Sequence, residues 1–369
     1  MSETPRSMAD LSPEEKRAYL AQLLRKKAGV QAAGRASGTA PAAGSNGDST
    51  ISTLSHGQRA LWFLHRLAPA SSAYNLLYTA RIRPPLDIAA LRRSAQALVQ
   101  RHPILSATFT MRNGEPVQHF HPGQKVPVEL IDASTWSRER LEQKLQEEGD
   151  RPFDLEHGPV LRFKLFAMAE QDYMLVMTAH HIAVDFWSLD LLVTEICVLY
   201  AKEVGAPLTA AMQAMLSQRV PQYTDYIRWQ AELLAGPEGE RLWTHWQQEL
   251  AGELSLLNLP LDRPRPPVQT YRGASHAFEL GEALSKQLKA LAGAEKVTLY
   301  MLLLAAFQVL LLRYTDQDDI LVGTPMVGRS RSELEGIGPM QISQPLKYCR
   351  LNMPLIRNLS LLFQSPLMA

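Results

Sequence analysis

Apolar residues recur at helical spacing in "IAALRRSAQALVQRH" (88 to 102), so that Ile88, Leu91, Ala95, Leu98 and Val99 share one face. The pattern then shifts toward a period of two. "ILSATFTM" followed by "RNGEPVQHF" (104 to 120) predicts a hairpin turning at Asn113-Gly114, a dipeptide that accepts the left-handed backbone such turns need. "LRFKLFAM" (161 to 168) and "DYMLVMTAH" (172 to 180) alternate like strands. Beyond them "LDLLVTEICVLYAKEV" (189 to 204) predicts a helix capped by Ser188, with Asp190 in its first turn and Lys202 near its end. "LYMLLLAAFQVLLL" (299 to 312) is interrupted by Gln308 and stops at Arg313. It is too short to span a bilayer and predicts a buried helix. Helix and strand signals mix throughout without a fixed-period repeat.

The N-terminal region has a different character. In "LSPEEKRAYLAQLLRKKA" (11 to 28) Ser12 can cap a helix, Pro13 occupies its first position and Glu15 completes a capping box, with Arg25, Lys26 and Lys27 at the C-terminal end. The next stretch, 28 to 50, is small, polar and aperiodic, which predicts a flexible linker. A helix on such a tether is either a solvated element or a docking device for another polypeptide, such as a neighbouring module. Folded sequence is expected from Ile51.

At 369 residues the chain is too long for one ordinary core and suggests two lobes. With 38 basic and 37 acidic residues it has no charge bias, which argues against nucleic acid as a main partner. Its 2 cysteines, Cys197 and Cys349, cannot build a disulfide framework and lack metal-ligand spacing, which fits a reducing compartment. The first residues, "MSETPRSMADLSPEEKR", lack the apolar core of a signal peptide. A cytoplasmic protein without a membrane anchor is expected.

Candidate chemistry centres on "TAHHIAVDFWSLD" (178 to 190), where a strand ends, a loop follows and a helix begins. Neighbours on a strand point to opposite faces, so one of His180 and His181 is expected toward a core and the other toward a cleft. The pair cannot converge on one metal ion, and no HExxH or Cys/His cluster lies nearby. Imidazole titrates near physiological pH and can take a proton from an attacking amine or hydroxyl; equally, both rings can be packed, hydrogen-bonded core histidines. Asp185 either locks the loop and orients a histidine, or is simply an aspartate at the start of a helix.

The HHxxxD pattern at a strand end resembles the signature of nonribosomal peptide synthetase condensation domains, within the superfamily of chloramphenicol acetyltransferase. Other stretches follow in the same order. "LSHGQRALWFLHRL" (54 to 67) resembles the opening motif, "RHPILSATF" (101 to 109) the second and "YTDYIRWQ" (223 to 230) the fourth, while "FDLEHGPVLRFKLF", "LPLDRPRPP" and "DDILVGTPMVGRSRSELEG" are also similar. Together they cover residues 51 to 336.

The resemblance implies an α+β protein of two chloramphenicol acetyltransferase-like α/β sandwich lobes meeting in a V. The N-terminal lobe would span 51 to 219 and a partial C-terminal lobe 220 to 369, after the helix and linker of 1 to 50. It implies an acyltransferase that forms an amide between a donor acyl thioester and an acceptor amine. Donor and acceptor carrier proteins would deliver both on phosphopantetheine arms, with no covalently bound cofactor and no metal. His181 matches the family's base or amine-positioning residue; His180 and Asp185 match supporting positions. Arg59, Tyr226, Trp187 and Ser188 match binding positions. A non-catalytic remnant that binds carriers, or a stand-alone acyltransferase making esters, are the alternative functions.

Three departures stand out. Phe186 occupies the position after the aspartate where the family usually has glycine, although a Phe-Trp-Ser form occurs in some branches. Ser106 replaces an arginine that the family uses as ion partner of the loop aspartate, so another group, or water, is expected to satisfy Asp185. After Gly336 the resemblance fades, and residues 336 to 369 contain no aspartate or glutamate. A divergent ending or a shifted reading frame would give this, and the second lobe is expected to be shorter than the family needs.

Overall fold

The computed structural model describes residues 50–218, 220–252, 254–266, 273, 274, 276–317, 319–324 and, as backbone, 347–351. The 11 to 28 helix and nearly all of the linker lie outside these residues, as does most of the tail after Gly336. The chain separates into two compact units, one built from residues through Ala231 with 327–343, the other from Glu232–Met326 with 344–369.

In the first unit the hairpin forms where expected: β3 (Ala107–Arg112) and β4 (Glu115–Phe120) are joined by Asn113 at φ 52 and Gly114 at φ 81. Both residues take the left-handed conformation that matches the twist of a tight hairpin. β1 (Ile51–Thr53) adds to β4, giving the sheet order β1-β4-β3. The larger sheet has the order β2-β7-β6-β5, from β2 (Asn75–Ile82), β5 (Val128–Asp132), β6 (Leu161–Ala169) and β7 (Asp172–His180). β7 lies in its interior, antiparallel to both neighbours.

The pleat divides this sheet into two faces. Leu161, Phe163, Leu165, Leu175, Met177 and Ala179 enter the main core, together with Leu91, Leu98 and Val99 of α2 (Ile88–Arg101) and Leu189, Leu192 and Ile196 of α4 (Phe186–Glu203). On the opposite face Phe166 and Val176 pack with Trp136, Leu141 and Leu145 around α3 (Arg138–Asp150). Covering both faces buries the last six residues of β7, so its end reads as a continuous buried run, without alternation. α1 (His56–Leu67) starts with a capping box between Ser55 and Gln58 and buries Leu61 and Trp62. α5 (Ala210–Ser217) and α6 (Tyr223–Ala235) follow α4.

One helix start differs from expectation. Asp185, and not Ser188, is the N-cap of α4, and its Oδ1 accepts the Ser188 amide at 2.7 Å. Asp190 therefore falls beyond the first turn. Phe186 and Trp187 do not continue the apolar periodicity of the helix, so that periodicity places its start too late; Asp185 caps it by accepting the amide of its third residue.

In the second unit α7 (Pro237–Glu249), α8 (Glu282–Ala294) and α9 (Leu299–Thr315) precede β8 (Ile320–Thr324). α9 was expected to be buried. Instead Tyr300, Met301, Leu303, Phe307, Leu310 and Tyr314 are exposed, while Leu302, Gln308 and Leu311 are buried. Apolar residues on every side of a helix state only that it could be enclosed; what packs against it is a tertiary matter. No single helix among the described residues is long and apolar enough to cross a membrane. β9 (Lys347–Leu351), within the divergent tail, pairs antiparallel with all of β8, from Ile320 opposite Leu351 to Thr324 opposite Lys347.

Candidate active site at the end of β7

β7 delivers the histidine pair. The His180 amide donates to the Val160 carbonyl at 3.0 Å, which closes the ladder with the segment entering β6, and the His181 amide donates to the Tyr74 carbonyl at 2.8 Å. The strand then ends in a turn that the His180 ring itself shapes: Nδ1 accepts the Ile182 amide at 3.0 Å, and the His180 carbonyl accepts the Ala183 amide at 3.0 Å. An accepting Nδ1 carries no proton, so the ring is neutral with its hydrogen on Nε2. Only 3% of His180 is exposed. Burial, with smaller contributions from His65 and His181, lowers its pKa to about 3.

The two histidines thus differ, as opposite faces of a strand require. His180 is enclosed, its ring meeting Phe153 edge-on at 5.9 Å and His65 edge-on at 6.3 Å. His181 is half-buried on the turn; its Nδ1 is covered and has no hydrogen-bond partner among the described residues. Ile182, Ala183 and Val184 are fully buried, so the turn is rigidly packed from beneath. Asp185, also fully buried, closes it by capping α4. The Ser188 amide serves Asp185 Oδ1, while the Ser106 hydroxyl turns away to donate to the Pro103 carbonyl at 2.9 Å.

The remaining sequence-predicted residues fall in different settings. Phe186 and Trp187, at the first two positions of α4, are 65% and 47% exposed, and Ser188 is buried beneath them. Arg59 on α1 reaches the Leu54 carbonyl at 3.4 Å and Glu115 at 3.6 Å. Tyr226 is buried, stacked on Tyr223 at 5.3 Å and in contact with Trp229 at 5.6 Å. Its hydroxyl accepts from Gln230, whose Oε1 in turn accepts the His56 amide at the start of α1. Gln58, fully buried, donates to the Ile182 carbonyl at 3.2 Å and to Gln118 at 3.2 Å, tying the first motif to the floor of the turn.

Sequence reasoning missed a buried ionic cluster behind this site. Glu195 of α4 receives His102 at 2.6 Å and Arg101 beside it, both from the end of α2. Burial opposes ionisation of Glu195, but the hydrogen bonds and charges of His102 and Arg101 prevail and hold its carboxyl below the ordinary range. The signal was present as the Arg-His pair of the second motif; nothing in the spacing pointed to Glu195 as its partner. No group of three His, Cys, Asp or Glu side chains that could hold a metal occurs among the described residues.

A family model described as "Condensation domain" matches residues 48–343. A linear gramicidin synthase of Brevibacillus parabrevis is 42% identical over 288 residues, which are 77% of this chain and 4% of that protein. The chondramide synthase cmdD of Chondromyces crocatus is 38% identical over 288 residues, 77% of this chain and 7% of that one. The chain therefore spans a small fraction of the length of the curated relatives it matches. Among solved structures, the X-domain from teicoplanin biosynthesis superposes with a TM-score of 0.69 at 28% identity, covering 80% of this chain and 65% of that one. The condensation domain of the monacolin K polyketide synthase MokA superposes at 0.68 and 21% identity, covering 83% and 69%, and shows a shared fold.

Proposed function

This chain belongs to the condensation-domain family, and from that premise we propose that it forms an amide bond between a carrier-bound acyl or peptidyl thioester and a carrier-bound amine. The amine nitrogen attacks the thioester carbon, the C–N bond forms and the C–S bond breaks. The amine gives up a proton, and the phosphopantetheine thiol leaves protonated. A thioester is already activated, so holding the two reactants in line supplies much of the rate.

The observation that carries this reading is the turn between β7 and α4. His180 is locked neutral beneath it, Asp185 caps the helix that follows, and His181 stands half-buried between them. With its Nδ1 enclosed, His181 has Nε2 to offer to an amine, either accepting its proton or fixing its approach. Trp187 and Arg59 are the binding positions that reach the surface; Ser188 and Tyr226 support the site from within, the first through its amide and the second through α1.

The test is direct. The purified chain, incubated with an acyl-loaded donor carrier and an aminoacyl-loaded acceptor carrier, should give the amide on the acceptor, detected by mass spectrometry. No amide in the presence of product from an intact synthetase run in parallel would overturn the proposal. Product with an alcohol acceptor only would assign an ester-forming acyltransferase. A second reading draws on a structural neighbour, the X-domain in complex with OxyB from teicoplanin biosynthesis, at 28% identity. On that reading the same fold is a docking module, and carrier binding without turnover would favour it.

A further inference from the structure

Beneath the end of β7, side chains from its two flanking strands grip one short piece of backbone. Asn75 of β2 lies opposite His180, and Arg162 of β6 lies opposite Thr178, so both stand on the face of the sheet that His180 uses. Asn75 Nδ2 donates to the Gly149 carbonyl at 2.7 Å and the Arg151 carbonyl at 2.9 Å. Arg162 donates through Nη1 to the Pro152 carbonyl at 3.1 Å and through Nη2 to the same Arg151 carbonyl at 2.7 Å. Its guanidinium also lies 3.8 Å above the Phe153 ring, and Phe153 is the ring that meets His180 edge-on. The contacts run without a break from Arg162 through Phe153 to His180, and from His180 Nδ1 to the Ile182 amide next to His181.

A half-buried guanidinium is a costly way to fill space. Burial lowers the Arg162 pKa to about 10, which leaves it a cation at neutral pH. An apolar side chain would pack there with less desolvation. What the planar fork adds is direction: two donors fix two successive carbonyls while the flat face fixes the ring that follows. Asn75 fixes the same segment from the other side of β7. The ordinary alternative is that the pair only tethers the end of α3.

We propose that Arg162, together with Asn75, is a positioning pair that holds Phe153 against His180 and thereby sets the turn that carries His181. The proposal rests on the role given to His181 above. Displacement of a catalytic group by about 1 Å can cost a hundredfold in rate, so a support three contacts away is worth building.

The test uses the full chain labelled with 15N-histidine, two variants, Arg162→Met and Asn75→Ala, and long-range proton–nitrogen spectra, with His180→Asn identifying the His180 signals. Wild-type His180 should show one neutral tautomer, protonated on Nε2. In the variants a second tautomer or exchange broadening should appear, and protonation should begin at higher pH. In the carrier assay kcat should fall about tenfold or more, with KM for both carriers unchanged. An unaltered His180 tautomer in both variants would overturn the proposal, as would an altered tautomer with wild-type kcat. Should Arg162→Met fail to fold by near-ultraviolet circular dichroism, Asn75→Ala decides alone. If wild-type chain forms no amide, the proposed function fails, and the tautomer result still decides whether the clamp holds His180.

Discussion

His102, which follows the last residue of α2, places its Nε2 2.6 Å from a carboxylate oxygen of Glu195, in the middle of α4. This contact, with Arg101 on the other carboxylate oxygen, bolts together the two helices that cover one face of the β7 sheet. α4 starts at the candidate turn, with Asp185 as its cap and Phe186 as its first residue.

Removing Glu195 should be expensive. Glu195→Ala leaves the buried His102 ring without its carboxylate and Arg101 with only the Met215 and Leu216 carbonyls, and should lower stability by about 3 kcal/mol, measured by urea denaturation. Its contribution depends on pH: the folded carboxyl titrates below the unfolded one, so its stabilisation is complete above about pH 4.5 and is lost as the solution is acidified further. An Ala variant as stable as the wild type would show that the cluster adds nothing net.

His180 should impose a second, distinct pH dependence. Its folded pKa of about 3 lies below the ordinary 6.5, so on acidification the unfolded chain takes a proton that the folded chain refuses. Its stabilisation is therefore complete above 6.5 and falls by about 1.4 kcal/mol for each pH unit below that. Between pH 6.5 and 4.5, above the range of the carboxylates, the unfolding free energy of wild-type protein should slope downward with acid. His180→Asn should reduce that slope, leaving the smaller share of His65, whose pKa burial also lowers. An unchanged slope in the variant would mean that His180 is not held neutral.

Asp185 acts on structure through its side-chain cap. Asp185→Ala should cost about 1 to 2 kcal/mol, whereas Asp185→Asn, which caps helices equally well, should cost much less, as read by thermal unfolding. Equal losses in the two variants would point away from capping and toward the negative charge.

His181 should behave in the opposite way to its neighbour. His181→Ala should reduce amide formation by about a hundredfold or more while leaving the melting temperature nearly unchanged, because a half-buried side chain on a turn contributes little packing. Wild-type turnover in this variant, measured with loaded carriers, would remove the residue from the mechanism.

The sequence by itself determined the local features whose causes lie within a few residues. The hairpin at Asn113-Gly114 follows from which residues tolerate a left-handed backbone, and α2 from one apolar stripe. The division of labour between His180 and His181 follows from the two-residue repeat of a strand. The motif order also indicated the family. What only the tertiary structure decided involves partners far apart along the chain. Asp185 displaced Ser188 as the cap because the helix began earlier than its apolar periodicity did. Asn75 and Arg162, far apart along the chain, meet over one carbonyl only because β7 lies between their strands. Glu195 found His102 through the packing of two helices, and the exposure of α9 depended on what does or does not lie against it. Patterning states which side of an element is apolar; the energy of a buried polar contact depends on the distance and desolvation of both partners, and those exist only once the chain has folded.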